Sequence, residues 1–362
     1  MRLWIIKIGT SLLVDERGNP RTDFFNWLAQ EIVFFRQNNI ATAIVSSGAI
    51  GLGWPHLGRS RRPDDLTGKQ AAAAIGQPIL METYRRAMAS QKITVAQALL
   101  SRQDFSDRQS YLNLRRTIHE LLQHNIVPII NENDTIATEE IKFGDNDTLA
   151  IMIATRLKAE KLIILTDVPG LCEFIPGQSP KVIPRVQKIT TEIERLATDR
   201  RSKNGTGGMK TKLAAARIAL MSGITLHIAS PQDQEVFRRI LRGENVGTCF
   251  LSKANLTSRQ LWIAFAALIS GRIGIDAGAA KALRTRPVSL LPAGLVKVEG
   301  NFPAGAVVEI YNISNNQTLG KGIVNFPANI LEKIKGKHSQ QVGRLFNTTR
   351  TEVIHRDNLV IW

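Results

Sequence analysis

The chain has 362 residues, 43% of them hydrophobic and 22% charged, enough to bury the core of one large domain and a smaller second one. Its formal net charge is +16, and its only cysteines are Cys172 and Cys249, which excludes a disulfide-built scaffold and leaves two free, partly buried thiols as the expectation. The longest apolar run, Leu261 to Ile269, is too short to span a bilayer and MRLWIIKIGT has no secretory cleavage pattern, so a cytoplasmic protein with no membrane partner is expected.

Short apolar runs then alternate with amphipathic stretches. Strands are predicted at 3–8 (LWIIKI), 41–46 (ATAIVS), 93–99 (ITVAQAL), 126–131 (IVPIIN), 161–166 (KLIILT) and 225–230 (TLHIAS), each short, β-branched and bounded by turn residues. Helical patterns fill roughly 22–38, 67–90, 108–124, 146–158, 208–222 and 232–242. Strands apolar on both faces with helices between them predict an α/β fold, a three-layer α/β/α sandwich around a mostly parallel sheet. Ligands of such sheets bind beyond the carboxyl ends of the strands. That rule directs attention to KIGTS, SSGAIG, NEND and TD, which follow the first, second, fourth and fifth strands.

The pattern changes near residue 250. SKANLTSRQ and LWIAFAALISG form a join, followed by short strand-like pieces rich in Gly, Pro and Asn: LVKVEG, AVVEIYN, TLGKGIVNF and TEVIHRDNLVIW. A small β-rich module is expected there. Residues 251–362 carry 14 Lys+Arg against 6 Asp+Glu, a denser positive surface than the rest of the chain. Solubility and contact with an anionic partner such as nucleic acid are both open readings of that charge.

Four constellations carry chemistry. Lys7 ends a strand among isoleucines, where burial is costly unless an anion meets it. Gly48, in SSGAIG, supplies a tight strand-to-helix turn like that at Gly9. NEND and FGDND set Asp134, Asp145, Asn146 and Asp147 just past apolar residues or a glycine; one helix N-cap explains one of these acids, not the set. An ammonium group, ordered lysines or Mg²⁺ would each suit several acids without a histidine cluster. Finally GTGGMKTK, Gly205 to Lys212, has neither the spacing nor the position of a P-loop, yet combines close-approach glycines, a helix N-terminus and a lysine. HELLQH, His119 to His124, is one residue too long for a zinc-binding helix and leaves its histidines about 140° apart, so no metal ligand is assigned.

Taken in order, KIGTS, SSGAIG, NEND, EIKFGDND, TD and TGGMKTK resemble the amino acid kinase family, and RIGIDAGAAKAL with the strands after it resembles a PUA domain. The likeness covers nearly the whole chain and is strongest to members that phosphorylate the γ-carboxylate of glutamate at the head of proline biosynthesis. It implies a catalytic domain at 1–250, a linker at 251–270 and a PUA-like domain at 271–362. It implies catalytic roles for Lys7, Lys212 and Asp147, with Asp147 holding the lysines in register. Ser47, Asp134 and Asn146 would bind glutamate. Lys7, Thr166, Asp167, Thr206, Gly207, Gly208, Met209, Lys210, Thr211 and Lys212 would bind ATP, with Mg²⁺, while Gly9 and Gly48 would offer backbone N–H groups to the phosphates. It further implies proline as a feedback inhibitor, a homo-dimer or homo-tetramer, and hand-off of the product to γ-glutamyl phosphate reductase. A family member acting on another carboxylate, carbamate or a nucleoside monophosphate remains an alternative, as does RNA binding by the C-terminal module. RRSKNGTGG, Arg200 to Gly208, is more basic than the family pattern.

Overall fold

The computed structural model of the protein describes residues 2–59, 61–136, 145–174, 179–197, 208–251, 256–346 and 351–362. The chain divides into two compact units, Met1–Asn255 and Leu256–Trp362.

In the first unit the elements run β1 (Arg2–Ile8), α1 (Thr10–Leu13), α2 (Thr22–Gln37), β2 (Ile40–Ser46), α3 (Ala49–Gly53), α4 (Leu66–Ala89), β3 (Val95–Leu100), α5 (Arg102–Ser106), α6 (Arg108–Gln123), β4 (Val127–Glu132), α7 (Asn146–Leu157) and β5 (Lys161–Leu165). They continue with β6 (Cys172–Glu173), β7 (Lys181–Val182), β8 (Arg185–Val186), α8 (Thr191–Leu196), α9 (Met209–Ser222), β9 (Thr225–Ala229), α10 (Val236–Leu241) and β10 (Thr248–Phe250). The six strands expected from the alternation are all present, within two residues at each end. The sheet order is β3-β4-β2-β1-β5-β9-β10-β8. The first six are parallel; β10 runs antiparallel to β9 and has β8 parallel on its outer side. The edge pieces β8 and β10 are two and three residues long, too short to leave a periodic signal. Cys172 and Cys249 are both free thiols.

Alternation along β1 builds the two faces. Trp4, Ile6 and Ile8 join an aromatic cluster with Phe25, Phe35, Tyr84 and Phe237 of α2, α4 and α10. Phe25 and Tyr84 meet edge to face at 4.8 Å between centroids, as do Phe35 and Phe237 at 4.9 Å. Full burial of such side chains contributes about 1.5–3 kcal/mol each. Lys7, of the opposite parity, meets α7 in the other layer. Because β1 has β2 on one side and β5 on the other, the chain reverses direction across the sheet at β1. The carboxyl ends of β2, β1 and β5 therefore open a crevice of the kind that holds ligands in parallel sheets.

One wall of that crevice depends on glycine. A Cβ at Gly53 would lie 1.9 Å from the Ala72 carbonyl oxygen, and one at Gly76 would lie 1.8 Å from that of Ala49. Only glycine lets α3 and α4 pack so closely, and this contact fixes α3 just beyond β2. Gly48, before α3, has φ +105, a conformation that strains residues with a side chain.

In the second unit, the stretch taken from the sequence as a join is helical over α11 (Ser258–Leu261) and a π-helical turn at Trp262–Ala266. There follow β11 (Gly271–Ile275), α12 (Ala277–Thr285), β12 (Leu295–Glu299), β13 (Val307–Asn312), β14 (Gln317–Ile323), α13 (Ala328–Ile334), α14 (Ser339–Phe346) and β15 (Leu359–Ile361). The sheet order is β12-β11-β13-β14-β15, with β11 and β13 parallel and the other pairs antiparallel. It closes over its own core of Ile273, Ile310, Leu319, Leu331 and Val342. No helix among the described residues of either unit is long and apolar enough to cross a membrane.

Candidate active site

Asp147 is the centre of the site. It lies in the first turn of α7, whose N-cap is Asp145; the Asp145 side chain accepts a 2.9 Å hydrogen bond from the Asp147 N–H. The Asp147 carboxylate is fully buried. Its Oδ1 lies 2.7 Å from Lys7 Nζ, and its Oδ2 accepts from Lys212 Nζ at 3.1 Å. Thr211 Oγ1 stands 3.0 Å from the same Oδ2. Lys7 comes from the end of β1 and Lys212 from the first turn of α9, more than 200 residues later. Both are nearly sealed from solvent, at 4% and 5% exposure. A buried ammonium is stable only beside a counter-charge, and these two share one. Asp145 adds a longer contact, with Oδ1 3.9 Å from Lys7 Nζ.

The site's protonation follows from this packing. Burial pushes the Lys7 ammonium down, but Asp147 and Asp145 outweigh it, and Lys7 sits above its ordinary value. Burial pushes the Asp147 carboxyl up, but Lys7 and Lys212 outweigh it, and Asp147 sits below the usual carboxylate range. Both are ionised at neutral pH. The N-termini of α7 and α9 converge here too, and each adds positive potential.

On the β2–β4 side of this centre lies a polar cavity of about 130 Å³. Its walls are Thr10, the Ser47–Gly51 turn, Arg62, Lys69, Asn131, Glu132, Asp134, Asp145 and Asn146. Asn146 ties it together: its amide nitrogen lies 2.9 Å from the Ser46 carbonyl, 2.9 Å from Ser47 Oγ and 3.0 Å from Asn131 Oδ1. Asn131 in turn donates to Gln77 Oε1 at 2.9 Å. Two side-chain amides thus link α7, β2, β4 and α4. Behind it, Ser46 Oγ and Tyr84 Oη share a buried 2.9 Å hydrogen bond.

On the β5 side lies a larger cavity of about 430 Å³. Thr166, Asp167, Gly208, Met209 and Lys212 line part of it, and Val168, Leu171, Phe174, Pro180, Leu196 and Ala197 give it apolar walls. Thr166 Oγ1 donates to Asp167 Oδ1 at 3.0 Å. Gly208, just before α9, has no atom of the described residues within 4 Å of where a Cβ would stand, which leaves room there for a ligand. Apolar walls, an open glycine, a helix N-terminus and a lysine are the parts that a nucleotide requires: a face for the base and donors for the phosphates.

The tertiary structure brings Lys7, Asp147 and Lys212 into contact, groups Ser47, Asp134 and Asn146 in the polar cavity, and sets Thr166, Asp167, Gly208 and Met209 on the other. Lys210 is exposed on the outer side of α9. Thr206 and Gly207 lie outside the described residues, as do residues 140–144 of EIKFGDND. Sequence reasoning missed Arg62 and Lys69, which belong to no strand end, and Leu171, Phe174, Pro180 and Leu196. The run VPGLCEF directly after Asp167 was the available signal for the apolar wall, since it continues from the carboxyl end of β5.

Comparison with known proteins places the chain in a family. The profile described as the amino acid kinase family matches residues 2–230, and that of the PUA domain matches residues 271–346. The chain is 41% identical over 361 residues to a glutamate 5-kinase of Caldanaerobacter subterraneus, covering 99% of this chain and 97% of that protein. It is 42% identical over 364 residues to a glutamate 5-kinase of Dehalococcoides mccartyi, with 99% and 97% coverage. Among solved structures, carbamate kinase from Giardia lamblia bound to AMP-PNP superposes with a TM-score of 0.50 at 16% identity, covering 70% of this chain and 99% of that one. At that identity the likeness speaks for the fold alone.

Proposed function

The chain belongs to the amino acid kinase family and within it sides with the glutamate 5-kinases, and we propose that its Lys7–Asp147–Lys212 centre is where the γ-phosphoryl group of ATP passes to the γ-carboxylate of L-glutamate. The product is L-glutamyl 5-phosphate, the first intermediate on the route from glutamate to proline. The observation that carries the reading is the shared carboxylate, with two buried lysines on Asp147 at 2.7 and 3.1 Å, between a small polar cavity and a larger apolar one.

The reaction needs no general base, because a carboxylate is already ionised at pH 7. One of its oxygens forms a bond to the γ-phosphorus, the bond from that phosphorus to the β–γ bridging oxygen breaks, and ADP leaves with the electron pair. The barrier is electrostatic, since an anion approaches an anion. Catalysis is therefore positioning and charge neutralisation. Lys7 meets the transferring group from the glutamate side and Lys212 from the nucleotide side, while Asp147 keeps the two cations from repelling each other apart. Ser47, Asp134 and Asn146 hold glutamate in the polar cavity. Thr166, Asp167, Gly208, Met209 and the rest of the α9 turn to Lys212 hold ATP. Backbone N–H groups at Gly9 and Gly48 face the phosphates.

Mg²⁺ belongs with the nucleotide. Among the described residues no group of three or more His, Cys, Asp and Glu side chains is arranged to hold a metal ion, and Asp147 is already ion-paired with its two lysines. The ion would be carried by phosphate oxygens and water, as Mg²⁺ usually is in phosphoryl transfer. Proline competition in the cavity of Asp134, a homo-oligomer, and direct hand-off of the labile acyl phosphate to a reductase are parts of the same proposal.

Hydroxylamine traps acyl phosphates. With ATP, Mg²⁺ and glutamate the enzyme should yield the γ-hydroxamate, and parallel reactions with aspartate, N-acetylglutamate, carbamate and UMP should be far slower. Faster turnover of any of these would replace glutamate as the substrate.

A further inference from the structure

We propose that Thr211 is a positioning residue for phosphoryl transfer that works through Asp147 and not through a contact of its hydroxyl with the nucleotide; the inference rests on the two-lysine reading above. The Thr211 hydroxyl has one proton and two acceptors in reach, Asp147 Oδ2 at 3.0 Å and the Gly208 carbonyl at 2.8 Å. A carboxylate is the stronger acceptor, so the hydroxyl donates to Asp147 Oδ2. The oxygen it meets is the one that also accepts from Lys212 at 3.1 Å, while the other oxygen faces Lys7 at 2.7 Å. The bond thus fastens the first turn of α9 to the first turn of α7 at the atom where the two lysines are kept apart.

Its value should rise during the reaction. The terminal torsion of an aspartate, about Cβ–Cγ, is broad and roughly two-fold, so lysine contacts alone define its plane loosely. When Lys212 swings its charge toward the migrating phosphoryl group, Oδ2 loses part of one partner. Thr211 is then the donor that keeps this buried carboxylate ionised and in plane, and so keeps Lys7 aimed. An interaction that matters more in the transition state than in the ground state lowers kcat when removed and leaves KM nearly alone.

The test is steady-state kinetics on the full chain with hydroxylamine trapping. Thr211→Val, which keeps the shape and removes the donor, should lower kcat about 10- to 100-fold, the range for losing a hydrogen bond to a charged group. KM for ATP and for glutamate should each stay within about twofold, and Thr211→Ser, which restores the hydroxyl, should recover kcat to within about threefold. If Thr211→Val does not fold, Thr211→Ala against Thr211→Ser makes the same comparison. The proposal is overturned if the variant without the hydroxyl turns over like the parent, if KM for ATP rises while kcat holds, or if Ser fails to rescue. An unmodified enzyme that yields no hydroxamate would bring down the kinase reading as well, whereas an active enzyme indifferent to Thr211 brings down this inference alone.

Discussion

The two cavities flanking Asp147 differ in size and chemistry. The one beside β2 and β4 is about 130 Å³, walled by acids, amides and two cations. The one beside β5 is about 430 Å³ and mostly apolar, with Thr166, Asp167 and Lys212 as its polar side chains. The first suits a small zwitterion whose every end needs a partner. The second suits a flat base that gains by leaving water, with its phosphates left at the rim. Lys212 lines the second, and Asp145 and Asn146, the two residues before Asp147, line the first. Under the proposed reaction this difference divides recognition between the halves of the sheet, with the Lys7–Asp147–Lys212 centre serving both.

Breaking the shared part should have the largest effect. Lys7→Ala and Lys212→Ala should each lower kcat by about 10²–10³ or more with the fold intact, as loss of a preorganised charge donor does. Lys→Arg should also fail, because the guanidinium differs in shape and hydration. Hydroxamate release at saturating ATP and glutamate checks this, and near-normal turnover by either variant would remove that lysine from the mechanism. Asp147→Asn should cost both function and stability, since it leaves two buried ammonium groups without their counter-ion; truncating one partner of a buried pair typically costs about 3–5 kcal/mol. Urea titration beside the activity assay would measure it.

Acid should act on the β5 half. His227 on β9 is buried and neutral, its pKa pushed down to about 4 by burial and by nearby Lys161. Unfolded, it would titrate near 6.5, so between those values the unfolded chain binds more protons. Stability present above pH 6.5 is then lost as pH falls to 4, by at most about 3 kcal/mol from this residue at 1.36 kcal/mol per unit. Urea midpoints of the parent and of His227→Gln, measured from pH 7 to 4.5, should converge as the pH drops. Parallel curves would exclude the imidazole as the cause.

The smallest effects should separate the two cavities. Asp134→Asn should raise KM for glutamate about tenfold, by roughly 1–2 kcal/mol for a weakened charged hydrogen bond, and leave KM for ATP alone. Phe174→Ala should do the reverse by a few fold, with about 0.5–1.5 kcal/mol of aromatic contact removed. A variant that shifted both constants together would mean that the cavities are not independent.

The lysines, the Asp134 and Asp147 motifs and the α9 loop were legible because each breaks a local rule: a lysine inside an apolar strand, acids beyond what one cap needs, glycines crowded before a helix. Arg62, Lys69, Phe174 and Leu196 break none. An arginine after a loop or a leucine on a short helix has a dozen ordinary explanations, and only proximity selects among them. The same limit hid β8 and β10, whose two and three residues pair only because β9 is already in place.

By itself the sequence determined the alternation of parallel strands and helices, the β-rich second module and the residue types at each strand end, because hydrophobic period and turn chemistry are local properties. What only the tertiary structure decided is that a single buried carboxylate bridges Lys7 and Lys212, that Thr211 stands on the oxygen Lys212 meets, and that cavities of opposite character lie on either side of it. Those are distances between residues far apart in the chain, and they follow from sheet order and from the glycine-close packing of α3 on α4, which no short window of sequence contains.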